Sequence, residues 1–286
     1  MSDTADLSSA PHPHSSTLFV SIVVYFPDSF WLNETLTSLV TALTHARHAG
    51  LLRCANVCLV DNQSATTASA YAPVLDVACT ELGWIETLVI AGHGNIGYGR
   101  ANNLAIARCL DKDFHLVLNP DVKLDEFAVT NALRYLQQNP DCALVSPVAT
   151  APDGQPLYLA KRYPDLLTLA LRGFAPPSIK HYFRARLAAY ERRETAYDAG
   201  LDDVKIASGC FMLIRQTALA RAEGFDPAFF LYFEDFDLSY RIAKFAGVAR
   251  VAEVRIVHAG GGAAAKSVRH VWLFVCSALR FIWKHR

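Results

Sequence analysis

The chain has 286 residues, of which 52% are hydrophobic and 19% are charged, and its 27 basic residues balance 27 acidic ones. This composition excludes an intrinsically disordered protein, which would be less apolar, and a protein that binds nucleic acid through a uniformly basic surface. The length predicts one large or two small domains with an ample core. The neutral total hides one asymmetry, because residues 266–286 contain five Lys or Arg, two His and no acidic residue.

The cysteines and the chain ends indicate a compartment. Seven cysteines are scattered without a CxxC pair, which argues against a disulfide framework and a zinc site and fits a reducing cytosol. Residues 1–16 are polar and lack the apolar core of a secretory leader, so we expect a disordered tail there. No uninterrupted apolar run is long enough to span a bilayer. We therefore expect a cytoplasmic protein.

Strand-like and helix-like segments alternate through the first half of the chain. This alternation predicts an α/β domain whose mostly parallel central sheet is flanked by helices. Ligands of such sheets bind at the carboxyl ends of the strands, and the polar segments 61–62, 92–99 and 119–121 follow predicted strands. The predicted strands are 18–26, 56–60, 84–90, 114–118 and 143–147, and the predicted helices are 30–49, 101–110 and 124–138.

The second half is less regular. Residues 157–193 are rich in Arg and Tyr and interrupted by three prolines, which favours a loop-and-helix insertion over the sheet. Strands are predicted at 206–214 and 247–257. Because neither an internal repeat nor a linker is visible, we expect a single domain over residues 17–265, followed by a basic, aromatic helical extension at 266–286.

A glycine-rich loop precedes the predicted helix at 101–110. Gly92, Gly94 and Gly97 formally match GxGxxG, the motif that cradles the diphosphate of a dinucleotide. The loop follows the third strand rather than the first, and the next acidic strand end lies too far along the chain. A dinucleotide-dependent oxidoreductase and a simple tight turn nevertheless remain as alternatives.

Three acidic or imidazole sites have residue types that suit catalysis. Asp121 ends an Asn-Pro-Asp turn after a strand, where a carboxylate suits Mg²⁺ but also an ordinary turn. Glu234, Asp235 and Asp237 lie among five aromatic residues; apolar surroundings raise a carboxyl pKa and favour a general base, whereas the alternative is a helix N-terminus. His258 follows a strand and precedes three glycines, so it is either a metal ligand or a structural histidine.

In their order, these motifs resemble the family 2 glycosyltransferases with the GT-A fold. They are most similar to the bacterial rhamnosyltransferases of surface-polysaccharide (O-antigen) assembly. The resemblance covers residues 18–262. The motifs run SIVVYF, VDNQS, GNIGYGRANN, LNPDV, SGCFMLIR, GFDPAFFLYFEDFDLSYR and VHAGG.

The resemblance implies a nucleotide site at the carboxyl edge of the sheet. The end of the first strand would flank the base, and Asp61 would accept a hydrogen bond from the imide of uracil or thymine. The glycine loop and the asparagines after it would border the diphosphate. The residues implied in nucleotide binding are Val24, Tyr25, Phe26, Asp61, Asn62, Gly94, Asn95, Gly97, Asn102, Asn103 and Asn119.

The resemblance also implies the chemistry. Asp121 and His258 would bind Mg²⁺ or Mn²⁺, although Asn119 replaces the first Asp of the family's DxD motif and removes one charge. Asp235 would be the catalytic base, with Glu234 beside it, in a transfer that inverts the anomeric configuration. Asp237 would bind the acceptor or hold the base.

The donor, the acceptor and a second function class stay open. The resemblance favours dTDP-L-rhamnose, while UDP- or dTDP-linked hexoses and UDP-galactofuranose are alternatives. The acceptor would be a glycan or a lipid-linked glycan. A non-catalytic nucleotide-sugar-binding module on the same fold is the alternative function, which the altered metal motif leaves room for.

The C-terminal segment predicts a peripheral membrane contact. Its aromatic residues are typical of a membrane interface and cations flank them, so we expect a helix on the inner face of the cell membrane. The alternative is a helix packed on the domain with a solvated basic end. Lys266, Arg269 and His270 are candidate contacts for acceptor or donor phosphate.

Overall fold

A computed structural model describes residues 15–63, 71–79, 82–109, 111–260 and 268–286. The strands are β1 (Ser16–Val24), β2 (Leu52–Asp61), β3 (Ile85–Ile90), β4 (Phe114–Leu118), β5 (Val122–Leu124), β6 (Cys142–Thr150), β7 (Pro156–Leu157), β8 (Phe211–Arg215) and β9 (Gly247–His258). The helices are α1 (Ser29–His48), α2 (Ala72–Cys79), α3 (Tyr98–Ile106), α4 (Ala128–Gln138), α5 (Leu166–Phe174), α6 (Pro177–Tyr182), α7 (Arg184–Tyr190), α8 (Gln216–Arg221), α9 (Glu234–Ile242) and α10 (Val268–Lys284).

The strands form one mixed sheet in the order β3-β2-β1-β4-β8-β6-β9-β5, with β7 beside β6. The first half, β3-β2-β1-β4, is parallel throughout. β8 runs antiparallel to both β4 and β6, whereas β6 and β9 are parallel. The expected α/β class is confirmed, and the parallel half brings the carboxyl ends of β1, β2 and β4 to one edge.

Helix α1 shows how the sequence builds this arrangement. The Asp28 carboxylate caps the helix by accepting hydrogen bonds from the backbone N–H groups of Phe30 and Trp31, which are otherwise unpaired at a helix start. Buried leucines recur at helical spacing on one face, and they join the core formed with the sheet. The leucines are Leu32, Leu36, Leu39 and Leu43.

Several local predictions differ from the structure in their bounds; the predicted helix 124–138, for example, begins at Ala128. Residues 206–210 are not part of β8, because this segment bends to meet α9. Helix α3 begins at Tyr98, three residues earlier than predicted, because the glycine loop feeds directly into it. The short elements α2, α8 and β5 were not predicted, since each is too brief for a clear periodicity. Ser16, predicted to be in a disordered tail, belongs to β1, while residues 1–14 lie outside the described part of the chain.

Helix α10 packs on the domain through one face only. Phe281, Ala278 and Ile282 join a buried cluster with aromatic residues from the segment around α9, including Phe229 and Phe233. In the described residues no helix has both the length and the apolarity that crossing a bilayer requires. The opposite face of α10 carries exposed apolar side chains, which are Val268, Trp272, Val275, Leu279 and Trp283.

Candidate active site

The ends of β1 and β2 form the first wall of the site. Val24 pairs with Asp61 in register, and the Asn62 N–H donates to the Val24 carbonyl at 2.9 Å. Val24 itself is fully buried in the core, so its side chain does not face a ligand. Tyr25 and Phe26 are 51% and 67% exposed directly after it, and Phe26 has a left-handed φ of 47°. Asp61, the last residue of β2, is buried at the same end of the sheet.

The glycine loop is tied to the same strand ends. The Asn62 side chain donates to Asn95 Oδ1 at 3.2 Å and accepts from the Ile96 N–H at 3.1 Å. Gly97 has φ +92°, and a Cβ there would lie 2.3 Å from the Phe230 carbonyl oxygen. Close packing against the segment before α9 therefore requires this glycine. Gly94, with φ +61°, has open space where a Cβ would be.

Two asparagines of α3 face inward. Asn102 is fully buried, accepts from the Ser21 hydroxyl at 2.7 Å and donates to the Tyr98 carbonyl. Asn103 pairs with both backbone groups of Phe225, donating at 2.7 Å and accepting at 2.9 Å. The structure thus places both amide groups in hydrogen bonds within the fold.

A chain of hydrogen bonds joins the turn after β4 to the start of α9. The Tyr98 hydroxyl lies 2.9 Å from both Asn119 Oδ1 and the Gly209 carbonyl oxygen. The Gly209 N–H donates to Asp235 Oδ2 at 2.8 Å. Burial and the Glu234 carboxyl raise the pKa of Tyr98 well above its usual value, so the phenol stays a donor. Tyr98 and Gly209 were not singled out by sequence, although both lie inside motifs that were.

Asp121 and His258 meet at the edge formed by β5 and β9. His258 pairs in register with Val122, the residue after Asp121, and His258 Nε2 lies 3.3 Å from Asp121 Oδ1. Both atoms are buried without a hydrogen-bond partner. A Cβ on Gly260 would lie 2.2 Å from Asp121 Oδ2, so glycine is needed for the carboxylate to sit against the backbone. A carboxylate oxygen and an imidazole nitrogen converging in this way fit a divalent cation.

Asp121 and His258 would supply only two protein ligands to a metal ion. In the part of the chain that the structure describes, no cluster of three or more His, Cys, Asp or Glu side chains could hold a metal. The Asn119 amide, at the position of the family's first Asp, is engaged by Tyr98. A metal here would therefore need oxygen ligands from water or substrate phosphate to complete its coordination.

Glu234 and Asp235 are adjacent carboxyls with different surroundings. Glu234 is 5% exposed, and its Oε2 has no hydrogen-bond partner; burial and the neighbouring Asp235 raise its pKa to about 8. Asp235 is only half-buried, and its oxygens accept from the Gly209 and Phe236 N–H groups. Burial raises the pKa of Asp235 as well, while these N–H donors oppose the rise. Asp235 is thus the more accessible and better held carboxylate.

The turn before this pair is strained. Tyr232 and Phe233 have left-handed φ values of 70° and 66°, which cost non-glycine residues about 1–3 kcal/mol each. The aromatic rings of this segment pack against α10, and the centres of the Phe233 and Phe281 rings are 5.7 Å apart. This packing holds the turn that presents Asp235 at the first positions of α9.

Asp237, expected to bind the acceptor or to hold the base, has partners of its own within the fold. Asp237 is fully buried, and its carboxylate pairs with Arg241 Nε at 2.7 Å, Lys284 Nζ at 2.7 Å and His285 Nε2 at 2.8 Å. It therefore anchors the C-terminal end of α10 to α9. Sequence patterns do not reveal this role, since two of its three partners lie more than forty residues away on another helix.

Lys266, Arg269 and His270 are the three other candidate phosphate contacts. Lys266 lies outside the described residues. Arg269 is exposed near the start of α10. His270 Nδ1 lies 2.9 Å from the Tyr232 hydroxyl, so this helix start contacts the strained turn before the carboxyl pair.

A two-residue segment, 209–210, connects the Glu234–Asp235 pair to the turn that leads to Asp121. The Asn119 N–H donates to the Cys210 carbonyl at 2.9 Å. Burial raises the pKa of the Cys210 thiol to about 12, and the charges of Asp121 and Asp235 both add to that rise. The segment 209–210 thus contacts both the turn after β4 and the carboxylate of Asp235.

Curated relatives with this sequence pattern are rhamnosyltransferases. The N-acetylglucosaminyl-diphospho-decaprenol L-rhamnosyltransferase of Mycobacterium tuberculosis is 30% identical over 166 residues, covering 52% of this chain and 51% of that protein. Rhamnosyltransferase WbbL of Escherichia coli K12 is 27% identical over 185 residues, or 58% of this chain and 61% of WbbL. The chain thus spans between half and two thirds of the length of these relatives. No protein-family profile matches it.

Solved structures show the fold. GalNAc-T7, crystallised with UDP, GalNAc and Mn²⁺, superimposes with a TM-score of 0.61 over 95% of this chain and 48% of its own, at 13% identity. Staphylococcus aureus TarS (residues 1–349) gives 0.54 over 85% of this chain and 60% of its own, at 12% identity. The chain has the GT-A fold and is a sequence relative of bacterial rhamnosyltransferases over about half its length, which confirms the resemblance to family 2 glycosyltransferases.

Proposed function

We propose that this protein is an inverting glycosyltransferase that moves L-rhamnose from dTDP-L-rhamnose onto a glycan or lipid-linked acceptor. The observation that carries the proposal is that segment 209–210 contacts both Asp235, through the Gly209 N–H at 2.8 Å, and the turn that leads to Asp121, through the Asn119 N–H at 2.9 Å. Inversion needs a base and a diphosphate-binding group on opposite sides of the anomeric carbon, and Asp235 and the Asp121–His258 pair are the residues that we assign to these two roles.

The base follows from the difference between the two carboxyls. An acceptor hydroxyl is a weak nucleophile and must lose its proton as it attacks. Asp235, half-buried and oriented by two backbone N–H groups, takes that proton on one carboxylate oxygen. The acceptor oxygen forms a bond to the anomeric carbon while the bond to the nucleoside diphosphate breaks on the opposite face, so the configuration inverts. Glu234, with its pKa near 8, stays protonated at neutral pH.

Asp121 and His258 are the residues that would hold Mg²⁺ or Mn²⁺, with Asn119 displaced from this role by its bond to Tyr98. When bound, such an ion neutralises the negative charge that grows on the leaving diphosphate. The cation in the GalNAc-T7 structure, Mn²⁺ with UDP, supports this part of the proposal for the fold as a whole.

The nucleotide would bind against the β1 and β2 ends. Tyr25 and Phe26 are exposed aromatic rings that can stack on a base. Asp61 and Asn62 lie beside them, and the loop around Gly94 and Asn95 borders the same edge. Because uracil and thymine share the imide that Asp61 would recognise, the choice of dTDP rests on the names of the relatives. UDP-linked sugars, including UDP-galactofuranose, are the alternative donors.

The acceptor proposal rests on α10 and the insertion beside it. The M. tuberculosis relative is named for an acceptor that combines a diphosphate with a polyprenol. The exposed face of α10 places Trp272, 64% exposed, and Trp283, 80% exposed, in line along one side, with Arg269 and Arg280 next to them. Aromatic and basic side chains in this arrangement fit an anionic membrane surface. We propose that α10 rests on the inner face of the cell membrane, where a lipid-linked acceptor lies.

A basic depression formed by α5, α6 and α7 supports the same placement. Its volume is about 490 Å³, and Glu191 is its one acidic lining residue among those described. Helix α5 also packs against α10, since Gly173 approaches Phe274. The cationic or imidazole residues that line it are Arg172, Lys180, His181, Arg184 and Arg193. Such a lining suits the phosphate groups of a lipid-linked acceptor or of the membrane.

The proposal is tested by a donor panel. The protein is incubated with dTDP-L-rhamnose, dTDP-glucose, UDP-glucose and UDP-galactofuranose, with Mn²⁺ or EDTA, and nucleoside diphosphate release is measured without acceptor. We expect slow hydrolysis of dTDP-L-rhamnose that EDTA suppresses. Thermal stabilisation by a nucleotide with no hydrolysis of any donor would instead support the non-catalytic binding module, and stabilisation by NAD alone would support the oxidoreductase.

A further inference from the structure

Lys161 is a buried cation that the mechanism above does not use. Its side chain is 8% exposed, and its backbone forms an isolated bridge with Ile206. The ion pairs found in the described part of the chain do not include it. Its Nζ lies 5.1 Å from the centre of the Phe236 ring. Burying a cation without a paired anion costs free energy, so this position needs an explanation.

The backbone brings Lys161 to the start of α9. The Lys161 N–H donates to the Ile206 carbonyl at 2.9 Å. From there the segment 206–209 follows α9, because the Ala207 N–H donates to Ser239 Oγ at 3.1 Å and the Gly209 N–H to Asp235 at 2.8 Å. Lys161 is thus held beside the segment that contacts α9, and its Nζ lies over the ring of Phe236, the residue after Asp235.

The charge of Lys161 acts differently on the two carboxyls, Glu234 and Asp235. The Lys161 ammonium lowers the pKa of Asp235, against the larger effect of burial, but it has no comparable effect on Glu234. Burial lowers the pKa of Lys161 itself to about 7, with Arg172 adding to the fall and Asp235 and Glu191 opposing it. The other titratable groups that face Asp235 are Glu234, Tyr98, Tyr190 and Cys210.

We propose that Lys161 is a positioning residue, the internal counter-ion that makes Asp235, and not Glu234, the ionised member of the pair. Lys161 neither takes nor gives a proton in the transfer, and the proton from the acceptor hydroxyl goes to Asp235. The placement of the charge rests on the burial of Lys161 and on its contacts with Ile206 and Phe236, whereas its consequence for turnover rests on the proposed function.

The test compares Lys161→Met and Lys161→Arg with Lys205→Met, which removes an exposed cation from the start of the same segment. Full-length protein labelled with ¹³C at the Asp carboxyl carbons is titrated by NMR, and the Asp235 signal is assigned by its loss in Asp235→Asn. We expect Lys161→Met to raise the Asp235 pKa by at least about one unit, while Lys161→Arg and Lys205→Met leave it near the wild-type value. An unchanged Asp235 titration in Lys161→Met overturns the inference. Lys161→Gln replaces Lys161→Met if the latter does not fold.

The pH profile of donor turnover separates this inference from the function. In Lys161→Met, the acidic limb of the kcat/KM profile is expected to move to higher pH by the same amount as the Asp235 pKa, and activity is expected to recover at high pH. In Lys161→Arg, the limb should return to its wild-type position. A uniform loss at every pH with an unmoved limb rejects the counter-ion role and leaves the proposed function intact. If the wild type turns over no donor while the NMR shift is seen, the proposed function fails and the counter-ion assignment stands.

Discussion

The Gly209 N–H donates to Asp235 Oδ2 at 2.8 Å, and a Cβ on Gly209 would lie 3.0 Å from Asp235 Cβ. The glycine therefore gives the carboxylate both a donor and the room to accept from it. This contact links the motif before β8 to the first turn of α9, two segments 26 residues apart.

Gly209→Ala tests this contact. The added methyl group must displace the Asp235 side chain by a few tenths of an ångström, so we expect donor turnover to fall about tenfold or more while dTDP still raises the Tm. Gly83→Ala is the matched control, since a Cβ there meets nothing within 4 Å. Equal turnover in the two variants would show that the contact has no catalytic importance.

Glu234→Gln should change how stability depends on pH. The folded-state pKa of Glu234 is about 8 against an ordinary value of 4.5, so the folded protein holds a proton that the unfolded chain loses. The contribution of Glu234 to stability is therefore fully present below about pH 4.5, and it is lost as the pH rises toward 8. Glutamine does not titrate. The free energy of unfolding of Glu234→Gln should therefore increase relative to that of the wild type as the pH rises across this range, by at most about 1.4 kcal/mol per pH unit.

Urea unfolding of both proteins at pH 5 and pH 8 measures this gain. Glu253→Gln, a change at an exposed glutamate, is the control and should track the wild type at both pH values. A constant difference between Glu234→Gln and the wild type would mean that Glu234 is ionised in the folded protein at neutral pH.

Asp237→Asn should destabilise the fold rather than weaken substrate binding. It leaves Arg241, Lys284 and His285 around a buried neutral amide, and removing one partner of a buried ion pair costs about 3–5 kcal/mol. Urea unfolding measures the loss. Asp226→Asn breaks only the more exposed contact with Lys284, and it should cost much less. Similar losses in both variants would argue against Asp237 as the anchor of α10.

The exposed face of α10 is tested with vesicles. The double variant Trp272→Ser and Trp283→Ser should bind vesicles that contain phosphatidylglycerol about tenfold or more weakly than the wild type, with an unchanged Tm because both rings are exposed. Phe127→Ser removes an exposed ring from a different element, α4's start, and should bind normally. Equal sedimentation of the double variant and the wild type would exclude α10 as the membrane contact.

The sequence located the strand-end residues well because parallel strands present their carboxyl ends together. Asp61, Asp121 and His258 each lie at the end of the strand that their motif predicted. The motif did not show that the Asn102 and Asn103 amides bond to neighbouring parts of the fold, since a motif gives a position in the chain but not the face of the helix on which a side chain points.

Long-range partners explain what the sequence could not show. Asp237 is a structural anchor because Lys284 and His285 return to it from the last turn of the chain. Lys161 is brought beside α9 by its bridge to Ile206, 45 residues further along the chain. Tyr98 contacts Asn119 and also Gly209, which lies 111 residues away in the chain. No local periodicity encodes contacts of this kind.

The most direct measurement for the central claim is dTDP release from dTDP-L-rhamnose by the wild type and by Asp235→Asn. The claim predicts release by the wild type and at least about a hundredfold slower release by Asp235→Asn, with dTDP stabilising both proteins to a similar extent. Near-normal release by Asp235→Asn would contradict the assignment of the base, and a wild type that releases no dTDP from this donor would contradict the proposed reaction.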